Sequence, residues 1–151
     1  MSQQSKPVHT QEAILSALNR DQQFAFESGV LVTQVRSGYA KGVLQVRPDS
    51  FNPNGTVHGG ALFTLGDTVA GAAAVFGRDQ TCVTVNSSIE YLRPALGPVV
   101  LCEATPKKEG RTISVMEVTM RDQSGKTLAT GTYTFYFQPL PSSEAENGNR
   151  T

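Results

Sequence analysis

The chain has 151 residues, 38% of them hydrophobic, and thirteen Lys and Arg balance thirteen Asp and Glu. That length fits one compact domain and leaves no room for a second, while a formal net charge of zero lacks the cationic footprint that recognition of nucleic acid or an anionic membrane requires. Two cysteines, Cys82 and Cys102, are too few for a disulfide scaffold and have no metal-ligand spacing.

Residues 1–10 and 140–151 are rich in Ser, Gln, Glu and Asn and are expected to be flexible ends; residues 11–139 form the single domain. The polar N-terminus has no apolar leader core, and no run of roughly eighteen apolar residues occurs, so a soluble cytoplasmic protein is expected. From Gln11 to Asn19, Ala13, Ile14, Ala17 and Leu18 recur at helical spacing behind a Thr10 cap, which predicts a short amphipathic helix. Phe24 and Phe26 are expected to point inward as a second anchor. Val30 to Arg36 and Tyr39 to Val46 are β-rich runs separated by Ser37 and Gly38, the punctuation of a hairpin.

After a Pro- and Asn-containing loop, Gly59 to Phe76 is apolar nearly all round and rich in Ala and Gly. It reads as a helix enclosed by other elements, whose small residues allow close backbone approach. Four β-type runs follow, Cys82 to Tyr91, Val99 to Lys107, Thr112 to Arg121 and Leu128 to Phe137, joined by turns as an antiparallel meander. Both cysteines fall in these runs as small buried residues. The fold class is therefore α+β, a curved antiparallel sheet wrapping one buried helix.

Asp67 is out of place in that helix, between Leu65 and Val69. An isolated buried carboxylate would cost several kcal/mol, so something must compensate: either a neighbouring hydroxyl such as Thr64 or Thr68 or a solvated stripe, or a functional site. The helix start favours a site. His58, Gly59 and Gly60 precede the apolar run, so first-turn N–H groups can approach an oxygen closely, with the helix dipole favouring negative charge there. Yet nine residues separate His58 from Asp67, about 13 Å of rise and roughly half a turn. If the two features cooperate, the Asp67 of one chain must face the His58-Gly59 turn of another, and the site requires a dimer.

The segment Asn52-Pro-Asn-Gly-Thr-Val-His-Gly-Gly-Ala-Leu-Phe-Thr-Leu-Gly-Asp67 resembles the hotdog-fold acyl-CoA thioesterases of the phenylacetate-degradation (PaaI-like) type. It has the His-Gly-Gly turn, an acidic residue nine positions after the His and an Asn six positions before it. Thr84-Val-Asn-Ser-Ser-Ile-Glu-Tyr-Leu-Arg-Pro-Ala95 is similar to the family's next strand and its aromatic-x-Arg-Pro ending. The resemblance implies hydrolysis of an acyl-CoA, with aryl or arylacetyl groups such as hydroxyphenylacetyl or hydroxybenzoyl favoured over long chains, short and medium fatty acyl groups left open, and a role in degrading aromatic compounds. It implies that Gly59 N–H polarises the thioester carbonyl while Asp67 of the partner subunit acts as general base or nucleophile. Asn52 would help hold the water or the carboxylate, Thr84 would supply a water-positioning hydroxyl, and His58 would organise hydrogen bonds.

Such a site needs no Ser-His-Asp triad, because thioester carbonyls are already activated, and no Gly-x-Ser-x-Gly elbow occurs. Gly60, Phe63, Thr68 and Tyr91 are expected to line the substrate, with Leu62 and Val69 as further candidates for an apolar slot. Arg93, Lys107, Lys108 and Arg111 are candidates for the coenzyme A phosphates. No cofactor or metal is expected, and a homodimer, going on to a tetramer as relatives often do, is the expected assembly. Two other readings stay open from the residues: a hotdog dehydratase or hydratase, for which His9 and His58 are the available imidazoles, and a noncatalytic acyl-CoA-binding protein.

Overall fold

A computed structural model describes residues 8–140. In chain order the elements are α1 (Gln11–Leu18), α2 (Phe24–Glu27), β1 (Val30–Arg36), β2 (Tyr39–Gln45), α3 (Gly59–Val75), β3 (Gln80–Tyr91), β4 (Val99–Lys108), β5 (Ile113–Arg121) and β6 (Thr127–Pro139). The strands form one sheet in the order β1-β2-β4-β5-β6-β3, every neighbouring pair antiparallel. Helix α3 touches all six strands, which is the hotdog arrangement.

The Thr10 cap is present, its hydroxyl oxygen accepting from Ala13 N at 3.2 Å, and the β1–β2 hairpin forms as the Ser37-Gly38 punctuation predicts. The meander is only partly realised. Strands β4, β5 and β6 follow one another, but β3 pairs with β6 and β4 pairs with β2, so the chain crosses the sheet between β3 and β4. Turn chemistry marks where a strand ends and says nothing about its partner, and the buried helix needs cover on both flanks. Phe24 also departs from expectation: it is 76% exposed, because α2 is a single turn that lies on the rim of a cavity rather than over the core. Cys102 is buried, whereas Cys82 is half-buried and lines that cavity.

The core runs along α3, where Leu62, Leu65 and Val69 are buried against strand residues such as Leu44, Val100, Met116 and Met120; each such side chain contributes about 1.5–3 kcal/mol by leaving water. The small residues on α3 have a steric reason. A Cβ at Gly66 would stand 2.4 Å from Tyr133 Oη, and one at Gly42 on β2 would stand 2.6 Å from a Val69 methyl, so helix and sheet approach each other too closely for any side chain there.

Strand register gives the sheet two distinct ends. Tyr91 lies opposite Ala129, Arg121 opposite Thr127 and Gln45 opposite Val99 at the end where α3 begins. Gln80 opposite Pro139 and Ile113 opposite Tyr136 mark the end where α3 finishes. Residues 1–7 and 141–151, most of the two expected flexible ends, lie outside the described residues. His9 and Thr10 belong to the domain instead: His9 N donates to Arg78 O at 3.4 Å and His9 O accepts from Gly77 N at 2.9 Å. Among the described residues no helix is long and apolar enough to cross a membrane.

Candidate active site

The first turn of α3 leaves its amide groups unpartnered unless something outside the helix caps them. The His58 imidazole does so for one, Nδ1 accepting from Gly60 N at 2.8 Å. Ala61 N and Leu62 N both reach His58 O, at 2.9 and 3.4 Å. Gly59 N–H is left without an acceptor among the described residues. The sequence suggests a group of free amides; the capping pattern narrows it to one, held at the positive end of the helix dipole. His58 is thus the organiser of that turn, its proton assigned to Nε2 because Nδ1 accepts.

A cavity of about 330 Å³ adjoins Gly59 and is also lined by Asn52, Thr56, Tyr91 and Arg93. The Tyr91 hydroxyl donates to Gly59 O at 2.8 Å, and Arg93 Nη1 donates to Thr127 O at 2.8 Å, so both groups are fixed beside the turn. Asn52 is committed to its own loop: Oδ1 accepts from Asn54 N at 2.9 Å and Thr56 N at 3.3 Å, and Nδ2 donates to Thr56 Oγ1 at 2.8 Å. That spends three of its four hydrogen-bonding places and leaves one N–H for a ligand. His58 and Gly60 face a different cavity, together with Arg47 and Thr64.

Asp67 lies elsewhere, half-buried on α3. Its compensating partner is neither Thr64 nor Thr68, whose hydroxyls donate one turn back to Gly60 O and Thr64 O at 2.9 and 2.7 Å. It is Thr84 on β3, whose Oγ1 donates to Asp67 Oδ1 at 2.6 Å, as short as hydrogen bonds from a hydroxyl to a carboxylate run. The pair opens into a cavity of about 470 Å³ that also takes in Phe63, Thr68, Phe135 and residues of α1 and α2. Cys82 lines it as well, and burial, with the charge of Asp67 adding to it and Arg78 opposing, pushes its thiol up to about 11. At neutral pH it is a protonated thiol and no nucleophile.

Within one chain, then, Asp67, Thr84, Phe63 and Thr68 share one cavity, Gly59, Asn52, Tyr91 and Arg93 share a second, and His58 and Gly60 a third. Of the apolar candidates, Leu62 lies against the Gly59 cavity and Val69 is core. The basic candidates divide by strand register. Arg93 stands at the end where α3 begins, but Lys107 and Lys108 close β4, and Arg111 follows it, at the other end; Lys107 there lies 3.9 Å from Glu117. The lining role of Cys82 was readable by alternation from Thr84, two positions on along the same strand. His9, Arg47 and Phe24 also line these cavities, and no sequence pattern connects them to α3.

Comparison with known proteins agrees with this architecture. The model of the thioesterase superfamily matches residues 54–129, half of the chain. An esterase candidate of Caenorhabditis elegans is 35% identical over 109 residues, covering 70% of this chain and 64% of its own length. The acyl-coenzyme A thioesterase PaaI of Escherichia coli is 28% identical over 102 residues, 67% of this chain and 72% of its own. Among solved structures, a hypothetical thioesterase of Streptococcus pneumoniae with coenzyme A superposes with a TM-score of 0.68 at 30% identity, covering 75% of this chain and 91% of that one. The matched span contains the free amide of Gly59, the Asp67–Thr84 pair and strands β3 to β5, and the chain belongs to the thioesterase superfamily.

Proposed function

We propose that this protein hydrolyses acyl-CoA thioesters as a homodimer whose two sites each draw on both subunits. The observation that carries the reading is the separation just described: one unpartnered amide, Gly59 N–H, and one hydroxyl-bonded carboxylate, Asp67, face different cavities of the same chain. Strand β3 supplies the means of joining them. Among the described residues it is an edge strand, paired only with β6, and it exposes Val83 by 43% and Val85 by 55%, a template for pairing with another copy. A two-fold partner would run its own β3 antiparallel to this one, carrying its Gly59 end toward this chain's Asp67. The same reversal would bring Arg93 of the partner subunit toward the end that bears Lys107, Lys108 and Arg111, where the coenzyme's phosphates would lie. Dimers of this kind can pair further into tetramers.

The chemistry follows from these groups. Gly59 N–H of the partner subunit donates to the thioester oxygen and stabilises the negative charge that grows there as the carbonyl carbon becomes tetrahedral. Thr84 holds Asp67 by Oδ1, leaving Oδ2 to take a proton from the attacking water. Collapse of the intermediate expels the CoA thiolate, which takes up the proton held by Asp67 as it leaves, so the carboxylate is regenerated beside the free acid. Phe63, Phe24 and Phe135 around Asp67 favour an aryl or arylacetyl acyl group over a long aliphatic chain. Streptococcal neighbours were solved with coenzyme A and with acetyl-CoA, which supports the ligand class.

The test is complementation. Gly59 is the first residue of α3 and His58 before it has φ −59° and ψ 134°, a conformation suited to the residue preceding proline, so Gly59→Pro removes the N–H at a helix position where proline is tolerated. The Tyr91 ring, 3.1 Å from a Cβ there, must move by a few tenths of an ångström. Gly59→Pro and Asp67→Asn should each be nearly inactive alone. Co-expressed, they should recover about a quarter of the wild-type rate, because half of the dimers are mixed and each mixed dimer has one intact site. No recovery in isolated mixed dimers would place both groups in one chain's site and defeat the reading.

A further inference from the structure

Gly59 N–H can polarise a carbonyl only if it points the same way in every turnover, yet it belongs to a glycine in the first turn of a helix. Glycine turns freely about both of its backbone bonds, and first-turn amides lack the ladder of bonds that stiffens a helix interior. Two peptide units pivot on the Gly59 α-carbon. The unit before it is held by its oxygen, since His58 O accepts from Ala61 N at 2.9 Å. The unit after it is held at both ends by side chains: Gly60 N donates to His58 Nδ1 at 2.8 Å, and Gly59 O accepts from the Tyr91 hydroxyl at 2.8 Å.

We propose that Tyr91 is a positioning residue that fixes the direction of Gly59 N–H by clamping the Gly59–Gly60 peptide from the sheet; the inference rests on the acyl-CoA thioesterase reading above. Three observations favour that role over simple satisfaction of a polar group. The first is redundancy. Gly59 is the first residue of α3, so its oxygen already accepts the bond that Phe63 N makes in a regular helix, and the tyrosine hydroxyl takes up the second lone pair. The carbonyl has its partner without Tyr91, and what the extra bond adds is direction.

The second observation is contact. The Tyr91 Cζ and hydroxyl stand 3.1 Å from where a Gly59 Cβ would lie, so the ring backs the α-carbon on which both peptide units pivot. The third is anchorage. Tyr91 ends β3 opposite Ala129 of β6, and the next two amides, Leu92 N and Arg93 N, donate to Leu128 O at 2.8 and 3.0 Å. The ring is thus mounted on the sheet and passes the sheet's rigidity to the helix start, whereas His58 belongs to the turn it caps. Partial burial raises the Tyr91 hydroxyl above the ordinary tyrosine value, so it stays a donor through the neutral range. An oxyanion donor held in this way needs no reorganisation as charge develops, and one that swings by an ångström loses much of its effect.

The experiment uses the full chain. Tyr91→Phe keeps the ring and removes the donor; it should lower kcat by about three- to tenfold, the worth of one neutral hydrogen bond, with KM within about twofold of wild type because the ring still lines the cavity. Tyr133→Phe is the matched control, since its hydroxyl also donates to a carbonyl of α3, Phe63 O at 2.9 Å, one turn further on. Two readouts separate positioning from general loosening of the helix. In an Asp67→Asn background, which should hold substrate without turning it over, the thioester carbonyl of ¹³C-labelled phenylacetyl-CoA should absorb at lower frequency than in solution. Tyr91→Phe should return it part of the way, and Tyr133→Phe should not. In ¹⁵N relaxation of the ligand-free protein, the Gly59 and Gly60 amides should have order parameters near the ~0.85 of rigid backbone in wild type and in Tyr133→Phe, and lower ones in Tyr91→Phe.

A kcat that does not fall, a fall without the change in the carbonyl band, a rise in KM in its place, amides indifferent to Tyr91, or a control that moves the same amides overturns the inference. Wild-type protein whose Gly59 and Gly60 amides depend on Tyr91 but which hydrolyses no acyl-CoA in a broad panel would instead overturn the thioesterase reading and leave the clamp standing.

Discussion

The cavity that holds Asp67 and the cavity that holds Gly59 flank the same helix, yet they are assembled in opposite ways. The Gly59 cavity is local: its lining comes from residues 52–62 and 91–95, and its chemistry is backbone amide, tyrosine hydroxyl and guanidinium. The Asp67 cavity is assembled from α1, α2, α3, β3 and β6, segments far apart in the chain, and its chemistry is a single carboxylate in a wall of aromatic, aliphatic and hydroxyl-bearing side chains. A polar, preorganised pocket suits a carbonyl oxygen and a charged coenzyme; an apolar trough with one carboxylate suits an acyl group and the water that attacks it. The proposed division of labour between the two, joined across a dimer, is broken at a different point by each variant below.

The largest effect is expected at Asp67. Asp67→Asn and Asp67→Ala should both lower kcat by about a thousandfold or more, within the range for losing a positioned base, while leaving the dimer intact by size-exclusion chromatography. A single turnover in H₂¹⁸O sharpens the role. Label found in the Asp67 carboxylate marks a covalent anhydride opened by water at the side-chain carbonyl, whereas label that enters only the released acid rules that route out and places water's attack at the acyl carbon.

Legibility in the sequence follows the same division. Features that one stretch of chain determines were readable: the enclosed helix from its Ala- and Gly-rich apolar run, the β1–β2 hairpin from Ser37-Gly38, the Thr10 cap, the anomaly of Asp67, and the amide-rich turn at Gly59. Features decided by which strand finds which partner were not. Nothing local says that β3 pairs with β6 and not with β4, and that crossover is what leaves β3 at an edge and brings Thr84 to Asp67. The place of His9 was hidden for the same reason, since fifty-eight positions separate it from Asp67 in the sequence and only its bonds to Gly77 and Arg78 set it beside the trough. The basic residues show the reverse error: Arg93, Lys107, Lys108 and Arg111 look equivalent as strand-end charge, and the antiparallel register sends them to opposite ends of the sheet.

Thr84 tests whether the Asp67 cavity is preorganised or merely apolar. Thr84→Val keeps the shape and removes the 2.6 Å bond to Oδ1. Charge-assisted bonds of this kind contribute about 1.5–3 kcal/mol, so kcat should fall by about ten- to a hundredfold, with KM little changed because the coenzyme is held elsewhere. Thr84→Ser, which restores the donor, should recover most of the rate. A Val variant as fast as wild type would mean that Asp67 is oriented by the partner subunit and not by its own strand.

The smallest effects separate the two ends of the sheet. Arg93 is held beside the Gly59 turn by its bond to Thr127 O, where a coenzyme phosphate would gain a fixed donor at little further entropic cost, whereas Lys108 is exposed at the end of β4 and would have to be immobilised on binding. Arg93→Ala should therefore raise KM for acyl-CoA by about tenfold with kcat nearly unchanged, and the effect should shrink as salt screens the wild-type contact. Lys108→Ala should change KM by about twofold at most. If the order is reversed, the phosphates of each ligand are held by the subunit that supplies Asp67 rather than by the one that supplies Gly59.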